Sequence, residues 1–166
     1  GELFNKLYKP KICQLEGDVY AGGFLIIAGC NYVVSKDGII LGLPEVKRGL
    51  FPMQVMESLS KVISVRNLVD WCIRGYNLDV ITAHKWGLIS VITNQVEIES
   101  VVSKWLNEVV SNSPIAIKYG LEAMDTISSS ESNHKYLAEM LELVLKSEDA
   151  NEGISAFKEK RKPNWK

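Results

Sequence analysis

The sequence predicts an α/β fold in which short strands and helices alternate first and helices then follow almost alone. Two observations support this prediction. Short β-branched or apolar runs, separated by glycine, proline and an Asp-Gly pair, continue up to residue 92. From residue 93 onward, apolar residues recur mainly at helical spacing. We therefore divide the chain into a mixed region, 1–92, and a helical region, 93–166.

The mixed region opens with a helix that Pro10 ends, and the Asp37–Gly38 pair marks a turn between two strands. A run from Ala21 to Cys30 is apolar nearly all round, which predicts a buried helix. The predicted elements are a helix over 1–9, a strand Lys11–Glu16, the helix Ala21–Cys30, strands Asn31–Ser35 and Ile39–Leu41, a loop or short helical turn Leu43–Pro52, helices over 53–62, 65–74 and 79–86, and a strand Leu88–Ile92.

The helical region is predicted to contain helices over 97–111, 114–126 and 133–148, a polar loop Ser128–Ser132, and a short basic helix from Gly153 that ends at Pro163. Apolar residues repeat at helical spacing within the third of these helices: Leu137, Met140, Leu141 and Val144. They predict a face that packs against either the core or a partner subunit.

Composition excludes several classes of protein. The 166 residues are 46% hydrophobic and 23% charged, which suits one globular domain, and a net charge of -1 argues against nucleic-acid binding. No apolar run is long enough for a transmembrane helix, and the first residues lack the apolar segment of a signal peptide. The three cysteines have no metal-ligand spacing, which predicts a metal-free protein of a reducing compartment such as the cytoplasm.

The Gly22–Gly23 pair lies at the start of the apolar helix. Two residues without Cβ let a ligand approach the backbone closely, and the first N–H groups of a helix have no acceptor within it. The pair is therefore a candidate donor site for an anion or a developing oxyanion. Taken alone, the same two glycines are explained more simply by a tight turn with close packing between helix and strand.

Glu45 follows Pro44 in a segment rich in leucine and valine. A carboxyl group among apolar residues has a raised pKa and can move protons at neutral pH. The alternative is an exposed loop glutamate paired with Lys47 or Arg48.

Taken together, these residues resemble the catalytic stretch of the crotonase, or enoyl-CoA hydratase/isomerase, family. The matching positions are Lys9–Pro10, Gly17, Ala21–Gly22–Gly23, Cys30–Asn31, Gly42–Leu43–Pro44–Glu45, Gly49–Leu50 and Pro52, followed by Trp86–Gly87–Leu88–Ile89 and the tail from Glu152 to Trp165. The resemblance implies the later part of a crotonase-like spiral of ββα turns, followed by a C-terminal helical oligomerisation region.

The resemblance also implies roles for individual residues. Gly22 matches the glycine whose N–H is one of two oxyanion-hole donors, and Glu45 matches one catalytic glutamate. Leu25 stands where hydratases carry the other glutamate, and Asn31 replaces a structural aspartate. Substrate binding is implied for four positions, of which the last two are similar to tail residues that touch the CoA adenosine and phosphate: Gly23, Leu25, Phe157 and Lys160. For the basic run that contains Lys160, a solvated tail is the open alternative.

Family chains extend upstream of the Lys-Pro step and take their second oxyanion donor from there. The resemblance therefore implies that this chain corresponds to the C-terminal portion and is nearly inactive alone. It implies an acyl-CoA thioester substrate, no cofactor beyond the CoA of that substrate, and a homotrimer or hexamer.

Three functions are compatible with these residues. Moving a double bond from position 3 to position 2 of an enoyl-CoA needs one acid–base group, so Glu45 with an apolar Leu25 favours isomerisation. Hydration of a 2-enoyl-CoA is the first alternative, although it usually takes two carboxylates. A non-catalytic interaction domain is the second alternative, favoured by Leu25 and disfavoured by the retained Glu45.

Overall fold

The computed structural model describes residues 2–112, 114–128, 139, 141–142 and 145–164. Its helices are α1 (Glu2–Asn5), α2 (Phe24–Ile27), α3 (Met53–Leu59), α4 (Val65–Arg74), α5 (Val80–Lys85), α6 (Ile98–Val110), α7 (Pro114–Ser128) and α8 (Glu148–Lys158). Its strands are β1 (Ile12–Leu15), β2 (Val19–Tyr20), β3 (Tyr32–Lys36), β4 (Ile40–Gly42), β5 (Asn77–Asp79) and β6 (Val91–Thr93). Two 3₁₀ helices cover Ala21–Gly23 and Pro44–Arg48.

The strands form two small sheets that share a core. In the first sheet β3 lies between β1 and β6, and all three strands are parallel. In the second sheet β4 pairs in parallel with β2 and antiparallel with β5. Successive strands along the chain alternate between the sheets up to β4, so each short connection carries the chain from one sheet to the other.

The core between the sheets is centred on aromatic side chains. The Trp71 ring packs edge-on against Phe24 at 5.2 Å and against Trp86 at 6.0 Å, and its indole N–H donates to the carbonyl oxygen of Tyr76 at 2.9 Å. Trp71 and Phe24 are fully buried. This cluster connects α2, α4 and the end of α5, and so fixes the elements that flank the site.

Sequence signals place the helix ends correctly where a capping residue is present. Helix α4 has the predicted bounds, because the Ser64 hydroxyl accepts from the N–H of Asn67 at 3.3 Å and Gly75 ends the helix at φ +58°. The Asp79 carboxylate caps α5 by accepting from the N–H of Thr82 at 2.8 Å. The predicted structural role of Asn31 is confirmed, since its Oδ1 accepts from the N–H of Lys11 at 2.8 Å.

Four predicted elements are corrected. The buried helix Ala21–Cys30 is a 3₁₀ turn followed by the four-residue α2, and Ile26 is 56% exposed, because only one side of this segment faces the core. The strand predicted at Leu88–Ile92 is β6 at Val91–Thr93, since Gly87 at φ +87° directs Leu88 into the core first. The first helix covers only Glu2–Asn5, and the tail helix begins at Glu148, with Gly153 inside it.

Some predictions fall largely on residues outside the described ranges. The helix over 133–148 and its apolar face, including Leu137, Met140 and Val144, belong to this group, as does most of the loop Ser128–Ser132. The predicted oligomer and the domain division at residues 92 and 93 therefore stay predictions. Within the described residues, no helix is long and apolar enough to cross a membrane, and no cluster of His, Cys, Asp or Glu side chains is placed to hold a metal ion.

Candidate active site

The second sheet brings the two sequence-predicted catalytic residues to the same edge. Strands β2 and β4 are parallel neighbours, with Tyr20 opposite Gly42. The 3₁₀ turn that contains Gly22 follows β2 directly, and the turn that contains Glu45 begins two residues after β4. Because parallel strands end on the same side of a sheet, both turns start at one edge, with their parent strands about 5 Å apart.

The turn at Gly22 is built on an unusual backbone conformation. Ala21 adopts φ +49°, in the left-handed region that L-residues rarely occupy and that costs about 1 kcal/mol or more. This residue bends the chain out of the extended Tyr20 and starts the 3₁₀ helix. A Cβ built at Gly22 meets no atom within 4 Å, so the backbone there borders open space in which a ligand can approach.

Gly23 has a different role from its neighbour. A Cβ at this position would lie 2.8 Å from Cγ1 of Val19, so the glycine is required for packing between the turn and β2. Leu25, predicted to bind substrate, is half-buried and packs against the core cluster. The structure thus gives both residues a packing role, and their substrate contacts stay predictions.

The Glu45 carboxyl lies in a half-buried turn. Its Oε2 atom is fully buried and has no hydrogen-bond partner. Burial raises the pKa of this carboxyl, while its own backbone N–H and the charge of Arg48 oppose the rise. The predicted rise in pKa is confirmed in direction, and among the described residues Glu45 forms no ion pair with Lys47 or Arg48. A partly desolvated carboxyl with one unpartnered oxygen is suited to exchanging protons with a bound molecule.

Cys72 of α4 adds to the apolar surroundings of Glu45. This thiol is fully buried, and burial together with the negative charge of Glu45 raises its pKa to about 12. The thiol is therefore neutral at physiological pH and acts as a small apolar side chain beside the carboxylate.

The C-terminal helix brings one predicted CoA-binding residue, Phe157, to the Glu45 turn. The Arg48 guanidinium lies over the Phe157 ring, 4.5 Å from its centroid, and the ring is 62% exposed. Lys160 is exposed and adopts φ +55° just beyond α8. Sequence reasoning missed the contact between Arg48 and Phe157, since no local pattern connects residues so far apart in the chain.

Comparison with known proteins decides the family. The sequence model of the family described as enoyl-CoA hydratase/isomerase matches residues 2–166. This chain belongs to the enoyl-CoA hydratase/isomerase family. It is 30% identical to carnitinyl-CoA dehydratase of Escherichia coli (strain K12) over 172 residues, which cover 99% of this chain and 66% of that protein. It is 25% identical to mevalonyl-coenzyme A hydratase sidH of Aspergillus fumigatus over 163 residues, which cover 95% of this chain and 60% of that protein.

Solved structures support the crotonase-like α/β fold. An enoyl-CoA hydratase from Mycobacterium avium superposes with a TM-score of 0.91 at 24% identity, covering 99% of this chain and 66% of that one. A methylmalonyl CoA decarboxylase superposes with a TM-score of 0.87 at 21% identity, covering 99% and 68%. The chain thus spans 60% to 66% of the length of these two curated relatives. Because the family match runs over residues 2–166, it lends no support to the prediction that only the later part of the fold is present.

Proposed function

We propose that this chain contributes the acid–base centre of an acyl-CoA enzyme that stabilises a thioester enolate. One observation carries the proposal: the half-buried Glu45 carboxyl, with an unpartnered Oε2, extends from the strand beside the one that leads to Gly22. An acid–base group and a backbone donor at one sheet edge are the two parts that enolate chemistry needs.

The proposed mechanism begins with polarisation of the thioester carbonyl. When a proton leaves C2, negative charge moves onto the thioester oxygen, and the N–H of Gly22 donates to it. The open space beside Gly22 leaves room for this oxygen. The family resemblance assigns the second donor to a segment upstream of the Lys9–Pro10 step, and we propose that both donors act together in the full-length protein.

Isomerisation of a 3-enoyl-CoA to a 2-enoyl-CoA is the reaction that we propose first. The Glu45 carboxylate takes a proton from C2, the electrons delocalise into a dienolate, and the protonated Glu45 returns the proton to C4. No atom is gained or lost, and one carboxyl suffices. Leu25 occupies the position of a hydratase glutamate and packs against the core, so it supplies no second carboxylate to activate water.

Hydration or dehydration is the second candidate, because the two relatives described above are named as a hydratase and a dehydratase. In hydration, Glu45 alone would have to deprotonate the attacking water and deliver a proton to C2. Under either reaction we propose that the Phe157 ring and the Lys160 ammonium contact the CoA adenosine and phosphate, and that the enzyme needs no cofactor beyond CoA. A homotrimer or hexamer remains the proposed assembly.

The test uses the full-length protein with a 3-enoyl-CoA and a 2-enoyl-CoA side by side. We expect faster turnover of the 3-enoyl substrate, and Glu45→Gln should lower turnover by about 10²-fold or more because the proton shuttle is lost. Glu99→Gln, an exposed glutamate in the first turn of α6, is the matched control and should keep full activity.

Faster conversion of the 2-enoyl substrate to a hydroxyacyl product would overturn the choice of isomerisation. Unchanged turnover in Glu45→Gln would overturn the assignment of the base. Calorimetry with an acyl-CoA separates both reactions from an interaction domain, since a scaffold would bind no thioester.

A further inference from the structure

Helix α8 lies directly on the turn that carries Glu45. Its contact face consists of small buried residues at helical spacing: Ala150, Gly153 and Ala156. The Arg48 carbonyl points at Gly153, and a Cβ built on that glycine would overlap the carbonyl oxygen and lie 3.0 Å from the Arg48 Cα. Only glycine therefore permits this approach of the two backbones.

The same contact continues into a side-chain pair. The Phe157 ring, one helical turn beyond Gly153, holds the Arg48 guanidinium at 4.5 Å from its centroid. Arg48 is half-buried, and within the described residues its guanidinium has no carboxylate partner. Residues three apart lie on the same side of a 3₁₀ helix, so Arg48 and Glu45 share one side of their turn.

We propose that α8 is the positioning element of the Glu45 turn: Gly153 fixes the Arg48 backbone, and Phe157 fixes the Arg48 guanidinium beside the carboxyl. Phe157, Gly153 and Arg48 are thereby positioning residues that act through Glu45. The consequence for catalysis rests on the function proposed above, whereas the positioning itself does not.

The charged groups around the Glu45 carboxyl determine in which direction its pKa should change when Arg48 moves away. From its own turn, Arg48 opposes the rise in the pKa of Glu45. From α4, the neutral Cys72 thiol is the titratable neighbour, while Asp70 and Arg74 pair with each other at 3.2 Å.

The described carboxylate at the centre of helix α8, Glu152, is already paired. Glu152 accepts from Arg161 through both oxygens and from the N–H of Asn164 at 2.8 Å. Lys158 lies exposed at the far end of the helix. Releasing Arg48 into solvent should therefore raise the pKa of Glu45 further, because water and salt screen its charge.

The first test compares Gly153→Ala with Gly120→Ala. Both glycines lie in helices, and a Cβ at Gly120 meets nothing within 4 Å, so the pair shares the gain in helix propensity and differs in the collision with Arg48. We expect Gly153→Ala to remove the ring-current shift of the Arg48 side-chain protons in NMR spectra and to raise the pKa of Glu45, followed through its ¹³C carboxyl signal. Gly120→Ala should change neither. If the Arg48 proton shifts and the pKa of Glu45 are the same in the two variants, the proposal is refuted.

Phe157→Leu provides a second test that does not threaten folding, since this side chain is largely exposed. We expect it to raise the pKa of Glu45 in the wild-type background but not in Arg48→Gln, and we expect Phe157→Tyr to keep the wild-type pKa. An equal effect of Phe157→Leu with and without Arg48 would contradict the proposed route. These readouts need no substrate, so they stand even if the acyl-CoA activity is disproved. In the active full-length enzyme, Gly153→Ala should lower kcat by about 10²-fold, because the Glu45 turn is displaced. A change in KM would report separately on the CoA contacts that we propose for Phe157 and Lys160.

Discussion

Replacing Glu45 by glutamine should stabilise the protein at neutral pH, although it removes the proposed catalytic group. The wild-type carboxylate keeps Oε2 buried without a hydrogen-bond partner, and glutamine removes the charge while retaining the shape. Desolvating an ionised carboxylate costs more than desolvating a neutral amide of the same shape, so the substitution lowers the penalty although the amide also lacks a partner. Because Glu45 is only half-buried, solvent screening reduces this, and we expect a gain of about 1 kcal/mol in the free energy of unfolding.

The gain should depend on pH with a definite sign. Burial raises the pKa of Glu45 in the folded state above its value of about 4.3 in an unfolded chain. The folded protein therefore binds this proton more tightly, so wild-type stability falls as pH rises from the unfolded pKa through the folded pKa. The difference between wild type and Glu45→Gln should be near zero below about pH 4 and should grow as the pH rises through the folded pKa of Glu45.

Thermal unfolding at a series of pH values measures this difference. A gain of about 1 kcal/mol corresponds to a rise in Tm of about 2–4 °C for a chain of this size. Glu99→Gln, which is exposed, should give no comparable rise. Two results would refute the claim that burial destabilises the Glu45 carboxylate. One is a Tm difference that is constant from acid to neutral pH, and the other is a lower Tm for Glu45→Gln at pH 7.

Three further substitutions test the surroundings of the site. Gly42→Ala should cost about 1–3 kcal/mol in unfolding free energy, because its Cβ would lie 2.6 Å from the Tyr20 ring, whereas Gly17→Ala, with nothing within 4 Å, should cost less in chemical denaturation. Ala21→Gly should raise the denaturation midpoint, since φ +49° suits glycine, and an unchanged or lower midpoint would argue against strain there. Trp71→Ala should lower the unfolding free energy by about 3–5 kcal/mol and weaken the near-UV circular dichroism signal. A loss of less than about 1 kcal/mol would contradict the central place of Trp71 in the core.

The sequence predicted correctly those elements whose first and last residues are marked by local capping or turn residues. Helix α4 has an apolar face, a serine cap and a terminal glycine, so its bounds could be read directly from the sequence. Strands β2 and β5 contain two and three residues and are defined by pairing with β4, which no local pattern shows. The end of α2 could not be predicted, because the residues after Ala21 are continuously apolar. Without alternating polar residues, the sequence does not show which side of the helix is exposed.

The candidate site divides in the same way. The raised pKa of Glu45 was predictable, since its neighbours in the sequence are apolar. The proximity of Gly22 and Glu45 depends on the parallel register of Tyr20 with Gly42, and only the family resemblance anticipated it. The contact between α8 and Arg48 brings distant parts of the chain together at Gly153. It could not be predicted, because a glycine inside a helix does not by itself indicate a contact.

Exchange of the C2 protons of an acyl-CoA in D₂O tests the central claim most directly, because every reaction proposed here passes through an enolate. The full-length protein is incubated with a saturated acyl-CoA, which can form the enolate but cannot isomerise or hydrate, and deuterium at C2 is followed by mass spectrometry. We expect wild type to incorporate deuterium, and Glu45→Gln to be slower by about 10²–10⁴-fold while Glu99→Gln matches wild type. Exchange at the wild-type rate in Glu45→Gln would contradict the account.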